Sequence, residues 1–177
     1  IEEHVPLLAT DIVFDFDVIR ESETHITVQV SASSAILIES YLSVFEQAGL
    51  VPLSFEIEAQ SIARAVIPAD YKGTAMIVDF GQTRTGISIV DAWRVLFTST
   101  FSIGGRDLSE MIAKNFNVSI AEAEKMKMIY SQGNSIDSEI FPIILNGISV
   151  LRDELNKHYS YWHTHEAEDG KLRPKIE

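Results

Sequence analysis

The part of the chain that most constrains its fold is a pair of apolar segments separated by a short polar turn. Residues 77–90 read Ile-Val-Asp-Phe-Gly-Gln-Thr-Arg-Thr-Gly-Ile-Ser-Ile-Val, with Asp79 at the end of the first segment and Gly81 in the turn. A glycine lets backbone N–H groups approach an anion closely, and a carboxylate can hold Mg²⁺ directly or through water. The segment therefore predicts two strands joined by a turn suited to a metal-bound phosphate, as in a nucleotide-binding protein.

The composition is that of a globular protein able to bury a core as one or two domains. The 177 residues are 46% hydrophobic and 23% charged, with no cysteine for disulfides or thiolate metal sites. The net charge of −12 repels phosphate in general, although a local site built from backbone N–H groups remains compatible with it. No apolar run approaches the roughly 18 residues of a membrane span. We therefore expect no nucleic-acid partner and no direct insertion into a membrane.

The first part of the chain predicts a hairpin, two helices and a short strand. The expected elements, from alternation and helical periodicity, are strands at 13–18 and 26–30, a helix at 36–48, a strand at 51–57 and a helix at 59–66. Gly49 is expected to end the first helix, and Pro68 stops the second. The polar stretch at 70–73 is the best domain boundary because it contains a glycine and follows a proline.

The second part predicts a small sheet followed by helices. Strands are expected at 74–79, 85–91 and 95–101, and the short links between them favour antiparallel neighbours. The expected helices open at Gly104-Gly105, at the capping box from Ser119 to Glu122, and after a loop at 131–134, where an apolar stripe runs from Phe141 to Trp162. The chain is therefore predicted to be a mixed α/β protein.

The order of these elements resembles the second half of the actin-like ATPase superfamily, which has a ribonuclease H-like fold. The turn from Asp79 to Thr85 has the Asp-x-Gly-x-x-x-Thr pattern of the superfamily's phosphate-2 loop. Residues 58–65 look like the connecting helix that precedes this loop. Residues 123–127 look like the helix whose Glu and Lys contact the ribose and base. The three elements follow one another in the order and at the spacing of the superfamily.

Within the superfamily the chain is most similar to the PilM (competence protein A) family of type IV pilus assembly proteins, with the cell-division protein FtsA next. The stretches that carry this resemblance are 4–8, 13–18, 41–50, 55–58, 101–108 and 118–127. The first four resemble the inserted FtsA-type 1C subdomain, and the last two resemble domain 2. The resemblance implies a 1C-like subdomain at 1–57, a connecting helix and linker at 58–72, and part of domain 2 at 73–177.

The nucleotide site of the family also includes two loops for which no matching residues are found in this chain. The phosphate-1 loop would lie before Ile1, and the adenosine loop after Glu177, following a strand that the chain does not reach. The first residue is not Met, and the last residues carry no terminal signal. We therefore expect an excerpt of a longer ATP-binding protein that has at most weak ATPase activity. The excerpt alone is expected to bind nucleotide weakly or not at all and to have no ATPase activity.

The resemblance implies a site for ATP and Mg²⁺. Asp79 would hold the Mg²⁺ through water. Glu58 stands where the superfamily carries an acid or amide that positions the attacking water, and Arg84 could reach a phosphate. The residues implied to contact the nucleotide are Asp79, Gly81, Gln82, Thr83, Thr85, Gly104, Gly105, Glu124 and Lys127.

Each assignment has a purely structural alternative. An Asp-x-Gly sequence is common in turns at strand ends, and Gly104-Gly105 could merely supply a tight turn instead of approaching the nucleotide at a helix N-terminus. Glu58 could be a solvated acid favoured by the helix dipole, and Arg84 could point into solvent. Glu124 and Lys127 stand three residues apart, so they could form a surface ion pair.

Two further groups of polar residues invite a functional reading and are better explained structurally. Asp11, Asp15 and Asp17 share one strand face, which is most often the solvated side of a hairpin. His158, His163 and His165 suggest zinc, but the last two lie two residues apart and would not share a helix face. Without cysteine or a His-Glu pattern, a solvated helix end is the favoured interpretation.

The resemblance implies an ATP-binding scaffold for the type IV pilus or competence machinery. Family members bind the cytoplasmic tail of an inner-membrane protein, PilN, in a cleft near subdomain 1C. The expected protein is cytoplasmic, is peripheral to the inner membrane through that partner, and is able to associate with itself. The alternatives are an FtsA-like division protein, a sugar or acid kinase of the same superfamily, and an interaction module whose phosphate turn is inactive.

Overall fold

The structure is a computed structural model that describes residues 9–131, 139–166 and 172–176. The chain divides into two compact units, Ile1–Ser61 and Ile62–Glu177. The loop predicted at 131–134 lies, beyond Ser131, outside the described residues. Within the described residues, none of the helices combines the length and the apolar character needed to cross a membrane.

The first unit is a β-hairpin followed directly by a helix. After a short 3-10 turn at Ala9–Asp11, strands β1 (Ile12–Glu21) and β2 (Ile26–Ser34) pair antiparallel, and helix α1 spans Ala35–Gln47. Gly49 takes a φ of 70° after this helix, a left-handed conformation in which glycine has no Cβ penalty. The predicted hairpin, the helix and its glycine end are confirmed.

The prediction of a strand at 51–57 is wrong, because this segment has neither helix nor strand structure. Pro52 has no N–H to donate to a strand ladder, and Leu53 is 98% exposed. Phe55 packs instead against helix α1, with its ring centroid 6.3 Å from that of Tyr41 and 6.4 Å from that of Phe45. Apolar residues here contact a helix face rather than a neighbouring strand.

Helix α2 (Glu58–Val66) begins one residue earlier than predicted and ends just before Ile67-Pro68. A proline disfavours helical backbone in the residue before it, which explains this end. Within the second unit, Ala63 and Ile67 are buried against Val90. The end of α2 is therefore packed against the sheet of that unit.

The sheet of the second unit contains three antiparallel strands in the order β3 (Thr74–Phe80), β4 (Thr85–Asp91) and β5 (Arg94–Phe101), as predicted. Central strand β4 is covered on both faces, since Ile87, Ser88 and Ile89 are all buried. Strands β4 and β5 are joined by Ala92 and Trp93, whose φ angles of 44° and 74° are those of a two-residue hairpin turn.

Beyond this sheet, Ile176 forms a parallel bridge with Thr74 of β3. The indole Nε1 of Trp162 donates to the carbonyl of Pro174 at 2.7 Å, and Trp162 packs with Ile89 and Ile176.

Three helices complete the second unit: α3 (Gly105–Phe116), α4 (Ile120–Ser131) and α5 (Ile140–Thr164). Their shared core contains Ile112, Ala113, Ala123 and Ile140. Ser119 caps α4 as predicted: the Glu122 carboxylate accepts from its N–H at 3.0 Å and from its hydroxyl at 2.8 Å. Pro142 is the third residue of α5. The N–H groups of the first helical turn have no intrahelical acceptor, so the N–H that proline lacks would make no helical hydrogen bond there.

Candidate functional site

The β3–β4 turn is a compact loop closed by one backbone hydrogen bond. The N–H of Gly81 donates to the carbonyl of Arg84 at 3.0 Å. A Cβ added at Gly81 would lie 2.9 Å from that same carbonyl oxygen, so a side chain here would force the turn to open. Gln82 and Thr83 are exposed, and within the described part of the chain neither N–H takes part in a backbone hydrogen bond. Such exposed turn amides are the groups that bind anions.

Asp79 lies on β3 opposite Gly86 of β4, two residues before Gly81, and its side chain is exposed. Across the described ranges, no cluster of three or more His, Asp or Glu side chains could hold a metal ion. Mg²⁺ commonly keeps several waters and is bound by one or two carboxylates together with substrate phosphates. A single exposed carboxylate beside a turn with unused amides fits that mode of binding, and does not fit an all-protein metal cage.

The β3–β4 turn is hydrogen-bonded to the N-terminal end of helix α3. The N–H of Gly105 donates to the carbonyl of Gly81 at 2.9 Å, and the N–H of Arg106 donates to the carbonyl of Gln82 at 2.8 Å. The N–H of Gly104 donates to the Asp107 carboxylate at 2.8 Å. The first N–H groups of a helix lack intrahelical partners. Here three consecutive N–H groups at this end, beginning with the N-cap, are satisfied within the protein.

Gly104 is required by the close approach of these two backbones. A Cβ added there would lie 2.6 Å from both the carbonyl carbon and oxygen of Gln82. Since its φ of −152° is ordinary extended backbone, the requirement is for space and not for an unusual conformation. At Gly105 the nearest atom to an added Cβ would be the Nζ of Lys127 at 3.4 Å, which is ordinary contact. Only the first glycine of the pair is sterically obligatory.

Lys127, on helix α4, reaches across to the start of α3. Its ammonium group donates to the carbonyl of Gly105 at 2.7 Å, to the hydroxyl of Ser109 at 2.9 Å and to the Glu124 carboxylate at 2.8 Å. An ammonium group has three N–H donors. All three donors of Lys127 are therefore used within the protein, and its side chain is only 20% exposed.

Ser109 completes this network and was not among the predicted site residues. It is 1% exposed, and its hydroxyl donates to Oε2 of Glu124 while accepting from Lys127. The hydrogen bond from Lys127 has the larger effect and the one from Ser109 follows. Together they hold the pKa of the Glu124 carboxyl below its usual range. A signal existed in the sequence, because Ser109 stands with Ile112 and Ala113 on the core-facing stripe of α3.

The structure also shows the surroundings of three more residues that were predicted to belong to the nucleotide site. Thr85 is fully buried, and its hydroxyl donates to the carbonyl of Ile103 at 2.6 Å. That hydroxyl therefore ties β4 to the segment before α3. Glu58 is exposed and belongs to the first unit, so its catalytic role stays a prediction. Arg84 is also exposed, and its contact with a phosphate stays a prediction.

The aspartates of the hairpin and the histidines of α5 have ordinary surroundings. Asp15 and Asp17 are exposed on β1. The Nε2 of His158 lies 3.3 Å from the hydroxyl of Ser99, and its ring contacts Phe97. His163 and His165 lie within hydrogen-bonding distance of carbonyls one turn earlier in α5.

Comparison with known proteins gives one family and several structural relatives. A family model described as type IV pilus assembly protein PilM matches residues 1–156. A chain of the solved PilM–PilN type IV pilus biogenesis complex superposes with a TM-score of 0.68 at 21% identity, over 91% of this chain and 48% of that chain. The ethanolamine utilization protein EutJ of Escherichia coli (strain K12) is 28% identical over 117 residues, which are 66% of this chain and 38% of EutJ.

A third relative is MreB5 of Spiroplasma citri, solved with bound AMPPNP. It superposes with a TM-score of 0.57 at 16% identity, over 71% of this chain and 47% of that chain. The chain thus spans less than half the length of each of these three relatives. The structural likeness confirms the predicted actin-like ATPase fold. Because the family model covers residues 1–156 of the 177, this chain belongs to the family of the type IV pilus assembly protein PilM.

Proposed function

We propose that this chain is part of an actin-like scaffold protein that binds ATP and helps to assemble a type IV pilus. Membership of the PilM family supports the pilus role. The observation that carries the nucleotide role is the docking of the β3–β4 turn on the start of α3, with Asp79 exposed beside it. That arrangement presents a carboxylate and unused turn amides together, which is the chemistry that a metal-bound phosphate needs.

In this proposal the phosphates of ATP lie against the turn. The N–H groups of Gln82 and Thr83 would bind phosphate oxygens, and Asp79 would hold Mg²⁺ through water. The bound Mg²⁺ would supply positive charge that offsets the charge of the phosphates. The fold that this chain shares with MreB5, which was solved with AMPPNP, supports a nucleotide ligand. The ATP would act mainly as a ligand that stabilises one domain arrangement by differential binding.

The proposed partner is the cytoplasmic tail of a PilN-like inner-membrane protein. The likeness to a chain of the PilM–PilN complex supports this choice. The tail would bind near residues 1–57, the proposed 1C-like subdomain, with 58–72 as connecting helix and linker and 73–177 as part of domain 2. The protein would then be cytoplasmic and held at the inner membrane through its partner. Glu58 would position a water for any slow hydrolysis.

One structural observation favours a second candidate, an interaction module that binds no nucleotide. Lys127, expected to contact the nucleotide, already has all three N–H donors engaged within the protein. In this alternative the turn and the start of α3 form only a structural junction. The FtsA-like and kinase alternatives have less support, since the family match is to PilM.

Calorimetry with the full-length protein and Mg-ATP distinguishes the two candidates. The wild type should bind, and Asp79→Ala should bind about tenfold more weakly, equivalent to about 1.4 kcal/mol. Chelating the Mg²⁺ should remove most of the difference in ATP affinity between the wild type and Asp79→Ala. Asp70→Ala, at an exposed loop position in the same unit, is the matched control and should bind as the wild type does. No heat of binding for the wild type would support the interaction module, whereas equal measurable affinities for the wild type and Asp79→Ala would contradict the role proposed for Asp79.

A further inference from the structure

The two units of the chain differ sharply in charge. Residues 1–61, the first unit, contain eleven Asp or Glu, one Arg and no Lys, so they carry a net charge of −10. Residues 62–177 contain fifteen Asp or Glu and thirteen Lys or Arg, which gives a net charge of −2. The first unit therefore holds most of the chain's net charge of −12 in about a third of its length.

The negative charge of the first unit lies at its surface. Every carboxylate in the described part of this unit, residues 9–61, belongs to an exposed residue, and these residues are Asp11, Asp15, Asp17, Glu21, Glu23, Glu39, Glu46, Glu56 and Glu58. Exposed charges act over about 8 Å at physiological ionic strength. So many carboxylates on one small unit attract a positively charged partner and repel an acidic one.

The β1–β2 hairpin of this unit also presents an apolar face. Alternate residues of β1 pair with alternate residues of β2, so that all of them share one face of the hairpin. The large apolar side chains of this face are 41–57% exposed, and they are Phe14, Phe16, Val18, Val28 and Val30. Asp15 and Asp17 alternate with these residues on β1, so apolar surface and negative charge lie side by side on one narrow hairpin.

The charge discriminates among the kinds of partner that could cover this face. The headgroups of an anionic membrane would be repelled by the unit. A second copy of the chain, seated face to face in a symmetric dimer, would bring together two units that each carry −10. A peptide segment that combines apolar side chains with Lys or Arg would gain from both the apolar face and the carboxylates. Such a segment is the occupant that the surface of the unit favours.

We propose that the first unit binds apolar and positively charged residues of the partner's cytoplasmic tail, with the apolar hairpin face as one wall of the binding site. This inference rests on the proposed function, because it gives the chemistry of the tail that would bind near residues 1–57. Short cytoplasmic segments next to a membrane span carry an excess of Lys and Arg. A tail of that composition is complementary to the acidic unit, whose charge speeds the encounter while apolar contact slows dissociation.

Calorimetry of the full-length protein with a synthetic peptide of the tail tests this inference. Phe16→Ser should weaken binding about tenfold, because it removes a large apolar contact from the hairpin face. Asp15→Asn combined with Asp17→Asn should weaken binding about threefold and make the affinity less sensitive to ionic strength. A tail peptide with Gln in place of each Lys and Arg should bind the wild type about tenfold more weakly than the natural tail.

Matched variants of the second unit serve as controls. Phe141→Ser removes a phenylalanine that is 49% exposed on α5, and Asp70→Asn combined with Asp153→Asn removes two exposed carboxylates. Neither control should change the affinity for the tail by more than about twofold. Circular dichroism verifies the folding of each variant. If Phe16→Ser does not fold, the aspartate variant and the Gln peptide decide the matter.

Equal affinity for the natural tail in the wild type, in Phe16→Ser and in the double aspartate variant would overturn the inference. Equal affinity of the wild type for the natural tail and the Gln peptide would overturn it as well, because charge would then play no part. In both cases the wild type still binds the tail, so the proposed partner survives. A wild-type protein that binds no tail peptide would overturn the proposed partner and this inference together.

Discussion

The N–H of Gly105 donates to the carbonyl of Gly81 at 2.9 Å, which joins the start of helix α3 to the turn between strands β3 and β4. These residues are 24 positions apart in the sequence. The bond uses main-chain atoms on both sides, so its geometry depends on how closely the two backbones approach. The consequences can be tested one residue at a time.

The two glycines before α3 should respond differently to a methyl group. Gly104→Ala places a Cβ against the backbone of Gln82 and should reduce the free energy of unfolding by about 1–3 kcal/mol, the usual cost of overpacking. Gly105→Ala meets only ordinary contacts and gains helix propensity, so it should change stability by less than about 1 kcal/mol. Urea denaturation of both variants measures the difference. Equal effects would show that the backbones are not in close contact at Gly104.

The hydroxyl of Thr85 should matter more for stability than its methyl group. Thr85→Val keeps the shape of the fully buried side chain but leaves the carbonyl of Ile103 without the hydroxyl that donates to it, at a cost of about 1–3 kcal/mol. Thr85→Ser keeps the hydrogen bond and loses one buried methyl group, at a cost of about 0.8 kcal/mol. Thermal unfolding of the two variants gives the order. A serine variant less stable than the valine variant would contradict the bond to Ile103.

The carboxylate of Glu124 should stabilise the protein at neutral pH and lose that effect in acid. Its pKa is lowered by the bonds from Lys127 and Ser109, so its folded-state pKa lies below the unfolded value of about 4.3. Its contribution is therefore fully present above that value and is lost as the pH falls through the folded-state pKa. The melting temperature of Glu124→Gln should lie below that of the wild type at pH 7, and the gap should narrow as the pH falls below the unfolded-state pKa and through the lowered folded-state pKa. A gap independent of pH would contradict the assigned bonds.

The N-cap of α4 should contribute to stability through Ser119. Its hydroxyl accepts the N–H of Glu122 and donates to the carboxylate of the same residue. Ser119→Ala removes both bonds and should cost about 1 kcal/mol, as is usual for an N-cap serine. Ser102→Ala, at an exposed position outside any helix, serves as the control in the same denaturation experiment and should have little effect.

The elements that follow from local patterns were predictable from the sequence. Alternation indicated the strands of the hairpin, and Gly49 and Ser119 marked a helix end and a helix start. The strand predicted at 51–57 failed because its apolar residues pack on a helix, as Phe55 does, a choice that depends on tertiary contacts. The periodicity of a short apolar segment does not reveal which partner covers it.

The site was predictable only in part, for a similar reason. Asp79 and the turn after it form a local pattern, and the spacing of Glu124 and Lys127 on one helix is also local. The hydrogen bonds that join the turn to this helix pair are made to backbone carbonyls of residues that are distant in the sequence. No sequence pattern predicts such bonds. Ser109 was detectable as a polar residue on an apolar helix stripe, but its partners became apparent only from the packing of α3 on α4.

In the proposed function, the β3–β4 turn binds the phosphates of ATP through the N–H groups of Gln82 and Thr83. Amide hydrogen exchange of the full-length protein, measured at these two residues with and without saturating Mg-ATP, tests it most directly. Mg-ATP should slow exchange at both amides by about tenfold or more, and adenosine without phosphates should not. Saturation with Mg-ATP, verified by calorimetry, without any slowing at Gln82 and Thr83 would contradict it.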